Sequence, residues 1–379
     1  MKLKTFLLFA IIISSAAAQK LNDLSLEKES QLAMRNAFGW LEANQQEDGS
    51  WGHYPAITAL VVASYLKSPF NYDDINSVPV IRGIQFLLKS QQPDGGIYID
   101  DFKAYNTAIV LIALTAADNP EYTEAIRRAR DFLITLQIDE NKGLTSSDAQ
   151  YGGIGYDENM ESDLSNLEWS LEALKESEKY RKVSESTGEP LEYSGTNIKT
   201  AQIASTSSRE LFWDKAIQYI QRCQNFKESN DQTWAGTDGG FIYSPSESKA
   251  GDYTSYGSMT YAGLKSFIYA DVKKDDKRVQ AAFNWVKKNY TVDKNPQMGE
   301  QGLFYYYHTM AKALEVSDVE VITDDAGIEH NWRKDIIEKL LTIQNGEGYW
   351  VNMNNRWWEN NKELVTAYSL LTLTYALGY

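Results

Sequence analysis

The strongest constraint on this chain is a phrase that it repeats. Gln45-Gln46-Glu47-Asp48-Gly49-Ser50-Trp51-Gly52 returns as Gln91-Gln92-Pro93-Asp94-Gly95-Gly96-Ile97-Tyr98, and again, worn down, as Gln344-Asn345-Gly346-Glu347-Gly348-Tyr349-Trp350. Each copy follows one apolar helical run and precedes another. Repetition of this kind makes every unit a helical pair that buries its apolar face only against its neighbours. Six units can be traced, with turns after Gln46, Gln92, Gln137, Gln224, Asn289 and Gln344. Gln45, Gln91 and Gln137 stand 46 residues apart, and later steps are longer because loops are inserted. The largest insertion, 175–209, is rich in Ser, Thr, Glu and Lys and reads as an inserted polar loop.

The two helices of a unit differ in character. First helices, such as the run 124–130, carry a charged face and belong outside. Second helices are nearly apolar all round, as in Tyr368-Ser369-Leu370-Leu371-Thr372-Leu373, which marks helices buried on most sides. The last of them, 364–377, is too apolar to cap an open solenoid. The pattern therefore predicts an all-α fold, an (α/α)6 toroid of six helical hairpin repeats. It occupies 19–379 as a single domain, with the second helices inside.

Composition narrows the partners. The first eighteen residues read as a signal peptide: Lys2 and Lys4, an apolar run over 6–13, then Ala16-Ala17-Ala18. A secreted or periplasmic protein beginning near Gln19 is expected, with no membrane-spanning segment in the mature chain. The single cysteine, Cys223, leaves stability to the core. A net charge of −15 repels phosphate backbones and excludes nucleic acid as a partner. Aromatic residues make up 12% of the chain, with 24 Tyr and 10 Trp.

Aligning the second helices on one another exposes candidates. In the chosen register the second column is Thr58, Thr107, Leu167, Thr260, Thr309 and Thr366. The column before it reads Ile57, Asn106, Asn166, Met259, His308 and Val365, and three residues earlier stand Tyr54, Lys103, Asp163, Tyr256, Tyr305 and Lys362. This face begins each inner helix, so in a closed ring it surrounds one mouth of the central cavity, where helix ends are partly positive. Asp163, Asn166, Tyr256, Tyr305 and His308 are expected to converge there, with Asn106 beside them. The plainer reading makes Asp163 and Asn166 helix caps and His308 a packed core residue. Asp238 and Asp252 flank an inserted loop within reach of the same mouth. Trp357 and Trp358 follow the last turn in a polar setting and suit ligand contact. Tyr305-Tyr306-Tyr307 must point in several directions, so at least one faces the cavity. The repeated Gln, Gly and Trp residues read as structural.

The Gln-Gln-x-x-Asp-Gly-x-Trp turn resembles the QW repeat of squalene–hopene cyclases and the related repeats of protein prenyltransferase beta subunits, over roughly residues 30–379. That resemblance implies a toroid with an aromatic cavity for an isoprenoid. The Asp-x-Asp-Asp acid motif of the cyclases is missing. Phe304-Tyr305-Tyr306-Tyr307-His308-Thr309 resembles the segment that carries the zinc histidine of the prenyltransferases, and Asp252 stands near their zinc aspartate, but the cysteine is absent, so no metal and no cofactor is expected. Three readings remain. The first is an enzyme on an isoprenoid or other lipidic substrate, with Asp163, Asp252 or His308 as acid or base. The second is a carbohydrate-active or carbohydrate-binding ring, pairing Asp163 with Asp252 or Asp238. The third is a non-catalytic binding protein.

Overall fold

A computed structural model describes the backbone of residues 2–157, 161–181 and 207–379, with side chains from 23 and, after the second gap, from 212. Most of the polar insertion lies outside the described residues, and so do the side chains of the leader segment. Twelve α-helices follow in order among the described residues. They are α1 (Lys2–Ala43), α2 (Pro55–Leu66), α3 (Val78–Lys89), α4 (Lys103–Ala117), α5 (Thr123–Thr135) and α6 (Leu164–Glu176), then α7 (Ser207–Arg222), α8 (Gly257–Tyr269), α9 (Lys277–Asn289), α10 (Leu303–Val316), α11 (Trp332–Ile343) and α12 (Lys362–Leu377). The even-numbered helices pack each on the next, and α12 packs back on α2, so the inner ring is closed. The odd-numbered helices lie outside: α3 covers α2, α5 covers α4, α9 covers α8, and α1 closes the outer layer against α11 and α12. The architecture is the all-α toroid that the repeat predicts. The only sheet among the described residues is a two-residue antiparallel pair, β1 (Ile322–Thr323) with β2 (Glu329–His330), between α10 and α11.

The repeated turn is a fastening between units. Gln45 Nε2 donates to the carbonyl of Gly49 in its own turn (2.9 Å) and to that of Pro79 at the start of the next outer helix (2.8 Å). Gln91 does the same to Gly95 and Ala125, Gln137 to Gly152 and Phe212, and Gln224 to Gly239 and Arg278. Gln344 completes the circle, reaching Gly348 and Ala33 on α1. These amides join carbonyls across two units rather than capping a helix. The glycine is required for the same contact. At Gly348, φ is 99° and a Cβ would lie 2.7 Å from the Asn36 carbonyl oxygen. The threonine column belongs to the fastening as well: the Thr58, Thr107, Thr260 and Thr366 hydroxyls accept the N–H groups of Trp51, Ile97, Phe241 and Trp350. Trp51 and Trp350 are fully buried, and their indole N–H groups bond the carbonyls of Leu41 and Leu340, both at 2.8 Å. The fifth turn lacks the glutamine. There the Tyr290 hydroxyl donates to Asp335 Oδ2 at 2.8 Å and ties the unit to α11.

Candidate functional site

The beginnings of the inner helices surround a cavity of about 250 Å³. Its wall is mainly aromatic: Tyr54 ahead of α2, Phe102 and Tyr105 at α4, Tyr256 ahead of α8, Tyr305 on α10 and Tyr368 on α12, with Tyr156, Tyr243, Trp357 and Trp358 from loops. Ile57, Met259 and Leu364 add aliphatic surface. The Tyr105 and Tyr368 hydroxyls meet at 2.9 Å across the ring. At the mouth, Trp357 and Trp358 are 42% and 46% exposed, and both hold left-handed backbone, with φ of 54° and 63°. Such backbone costs of order 1 kcal/mol or more per residue and persists only where its surroundings enforce it. Here Trp358 packs on Tyr54 with ring centres 4.8 Å apart, and Arg356 covers Trp357 at 4.3 Å. Gly302 leaves room for the Trp357 ring: a Cβ there would approach it to 3.0 Å.

One carboxyl group lines this cavity among the described residues, that of Glu359. It is 1% exposed and caps α10, whose own N-cap, Gly302, has no side chain. Glu359 Oε1 accepts the Tyr305 N–H at 2.8 Å, and Oε2 accepts from Asn352 Nδ2 at 2.6 Å. Burial pushes its pKa up to about 7, against the pull of these donors and of the Leu303 and Phe304 N–H groups. Near neutral pH it exists in both forms, the condition a proton-transfer group needs.

Behind the wall the ring axis is filled with charge. Lys265 on α8 is fully buried and pairs with both Glu168 and Glu172 of α6. Towards the other end of the inner helices, Lys67 holds Glu176 at 2.9 Å and Lys312 lies 3.5 Å from the same carboxylate. Burial opposes the charge on Lys265, but the two glutamates hold its pKa above the ordinary lysine value. The Tyr305 hydroxyl links cavity and axis, donating to Glu168 Oε1 at 2.9 Å with Ser165 Oγ 3.3 Å away.

The candidates from sequence divide between wall and scaffold. Asn106, Tyr256, Tyr305, Trp357 and Trp358 line the cavity. Asn106 is committed to structure, accepting the Ala56 N–H at 2.9 Å and donating to the carbonyls of Asp101 and Phe102. Tyr306 and Tyr307 turn away and bond the carbonyls of Thr291 and Val292. Asp163 caps α6 behind Tyr156 and Tyr243. It accepts the Asn166 N–H at 2.9 Å and the Asn166 amide at 2.7 Å. Burial raises its pKa to about 6, against the pull of those bonds. Neither Asp163 nor Asn166 lines the cavity. His308 also stands outside the wall, stacked on Trp169 at 5.1 Å and flanked by Tyr368 and Tyr375. Burial first, then Lys265, Lys312 and Lys67, hold its pKa well below the ordinary value, so it is neutral. Asp238 is exposed and accepts the Gly240 N–H within its turn and the Ser255 hydroxyl from just ahead of α8. Asp252 is exposed on a left-handed turn with φ of 44°. Asp252 on the surface and His308 sealed in the core are therefore not placed as a zinc pair. Sequence reasoning named Trp357 and Trp358 but passed over Glu359 beside them. It also passed over the axial charges, whose signal was Glu168, Glu172 and Glu176 at every fourth position of a helix that repeats Leu164, Leu167, Leu171 and Leu174 at core spacing.

No protein-family model matches the chain, and no curated protein matches it in sequence. Solved structures do. A variant of the type II terpene cyclase MstE from Scytonema, in complex with its substrate geranylgeranyl dihydroxybenzoate, aligns over 93% of this chain and 98% of its own at a TM-score of 0.55 and 13% identity. The fold is that of a terpene cyclase. A second variant of the same enzyme, without ligand, aligns over the same shares with a TM-score of 0.54 at 14% identity. A third, holding the product merosterolic acid A, aligns over 93% and 97% with a TM-score of 0.50 at 13% identity. Among the described residues, no helix is long and apolar enough to cross a membrane.

Proposed function

We propose that this chain is a terpenoid cyclase- or prenyltransferase-like toroid, a divergent relative of the QW-repeat proteins. It takes a short isoprenoid or other small lipidic molecule into the aromatic cavity, with Glu359 as general acid–base. The observation that carries this reading is a single buried carboxyl, poised near neutrality, in a wall otherwise made of aromatic faces. Aromatic faces stabilise positive charge developing on carbon, and a half-protonated acid supplies the proton that starts it. The volume falls below the ~300–1,000 Å³ of drug-sized sites, which favours a short branched chain over a long one. Solved terpene cyclases of the same fold, with a prenylated substrate or product bound, add support. A glycoside-cleaving reading has less behind it, since that chemistry needs a second carboxylate facing the first. Asp238 and Asp252 sit on exposed turns, and Asp163 lies behind the wall. From Lys2, Lys4 and the apolar run after them, we also infer export from the cytoplasm. Intact-mass analysis of the protein recovered from its host checks this, and an uncleaved N-terminus contradicts it.

The test is turnover of short isoprenoid alkenes and alcohols by the purified protein, read by mass spectrometry. Glu359→Gln keeps the cap on α10 and removes the acid, so a rate loss of about 10²–10⁴-fold is expected. An unchanged rate overturns the role of Glu359.

A further inference from the structure

Tyr305 is the cavity residue that touches a carboxyl group at each end. Its N–H bonds Glu359 Oε1 at 2.8 Å, and its hydroxyl bonds Glu168 Oε1 at 2.9 Å. Glu168 is placed where a proton is readily gained or lost. One ammonium, Lys265, serves two fully buried carboxylates, Glu168 and Glu172. Two buried carboxylates that share one ammonium are not equally stabilised as anions unless further cations reach both. Glu172 also feels Lys312 and Lys67, which, with Lys265, hold its pKa low against its burial. Glu168 lacks those further cations, and burial raises its pKa to about 7 against the pull of Lys265, so near neutral pH it is the carboxylate of the two that can take up a proton. The groups facing Glu168 are Lys265 from α8, Glu172 on its own helix, Tyr305 from α10, Tyr105 from α4 and Tyr368 from α12. His308, also on α10, is neutral.

We propose that Tyr305 and Glu168 form a second proton-transfer pair of the cavity, in which Tyr305 removes a proton from the bound molecule and hands its own phenolic proton to Glu168. This rests on the lipidic-ligand reading above and adds the step that ends the reaction. Glu359 gives its proton to a carbon–carbon double bond and leaves a cationic carbon. A neighbouring C–H bond then breaks, and its electron pair forms the new double bond. The released proton goes to Tyr305 Oη as the phenolic proton moves to Glu168 Oε1. One proton enters and one leaves, so no oxidant or reductant is needed. Exchange with water in the emptied cavity restores both carboxyl groups.

The test places 3-fluorotyrosine at position 305 in the full chain, in a Glu359→Gln background that removes the other carboxyl bonded to Tyr305, and follows its fluorine resonance from pH 5 to 9. The probes are geraniol, which is neutral, and hexyltrimethylammonium, which stands in for the cationic carbon. Trp357 and Trp358 fluorescence reports their entry. The resonance is expected to step near pH 7 as Glu168 ionises, and Glu168→Gln is expected to abolish the step. The ammonium probe should lower the midpoint by about one pH unit while geraniol leaves it in place. Should Glu168→Gln fail to fold, Glu168→Asp withdraws the carboxyl by one methylene, keeps the charge beside Lys265, and should shrink the step. A missing step, or one that survives Glu168→Gln, overturns the pair. If geraniol enters but the ammonium leaves the midpoint unmoved, the proton transfer alone falls. If neither probe changes fluorescence or resonance, the cavity reading falls with it.

Discussion

The two ends of the inner ring are built from the same six helices and filled with opposite materials. Where the helices begin, aromatic rings enclose an open cavity with one carboxyl in its wall. Along the axis behind it, Lys67, Lys265 and Lys312 neutralise the glutamates of α6, and Trp169 and His308 pack the remaining space. Helix starts offer unpaired N–H groups and partial positive charge, which a single acid such as Glu359 can exploit. Glu168, Glu172 and Lys265 on the axis are buried, so their charges must be matched by neighbours. One end leaves an open aromatic cavity and the other packs matched charge between the helices.

That contrast can be broken by mutation. Lys265→Met should have the largest effect, because it strands Glu168 and Glu172 without their shared cation. A loss of about 3–5 kcal/mol in urea unfolding at pH 7.5 is expected, partly recovered at low pH as the carboxyl groups protonate. An unchanged midpoint would mean that the axis does not depend on matched charge. The pH dependence of stability is next in size. Glu359 has a folded pKa raised to about 7 from an ordinary value of 4.5. Its contribution is therefore fully present below pH 4.5 and lost as pH rises through 7, amounting to about 3 kcal/mol. Glu359→Gln should flatten that decline between pH 4.5 and 7.5, and a decline as steep as in the parent would show that Glu359 is not buried in its acid form. Trp358→Gly should change stability least. It relieves left-handed backbone, so unfolding should stay level or gain up to ~1 kcal/mol. Geraniol binding should nonetheless weaken, because the rim is gone. Large destabilisation with intact binding would place Trp358 with the scaffold.

Much of this division was legible in the sequence, and the limits are physical. The repeat located the mouth because the six copies share a register, and Tyr256, Tyr305 and Asn106 emerged as positions where the copies differ. The same register put Asp163, Asn166 and His308 among the candidates. Spacing says which helix face a residue occupies, not whether a neighbouring loop covers it, and Tyr156 and Tyr243 come from such loops. Glu359 escaped because it is on no helix: it reaches from the loop before α12 to the start of α10. The axial network escaped because its members lie on four different helices. Glu168 and Lys265 meet only once the ring is closed. Still, charges recurring every fourth residue on an inner helix are a signal in themselves, since such charges are almost never buried unless paired.

The most direct test of the central claim is to identify what the native cavity holds. Mass spectrometry of the protein purified from its own host, beside a Met259→Trp variant that fills the cavity, reads this out. A small isoprenoid or related lipid released by the parent and absent from the variant is the expected result. A saccharide in its place, or the same lipid recovered equally from both proteins, would contradict the assignment of the aromatic cavity as a lipid site.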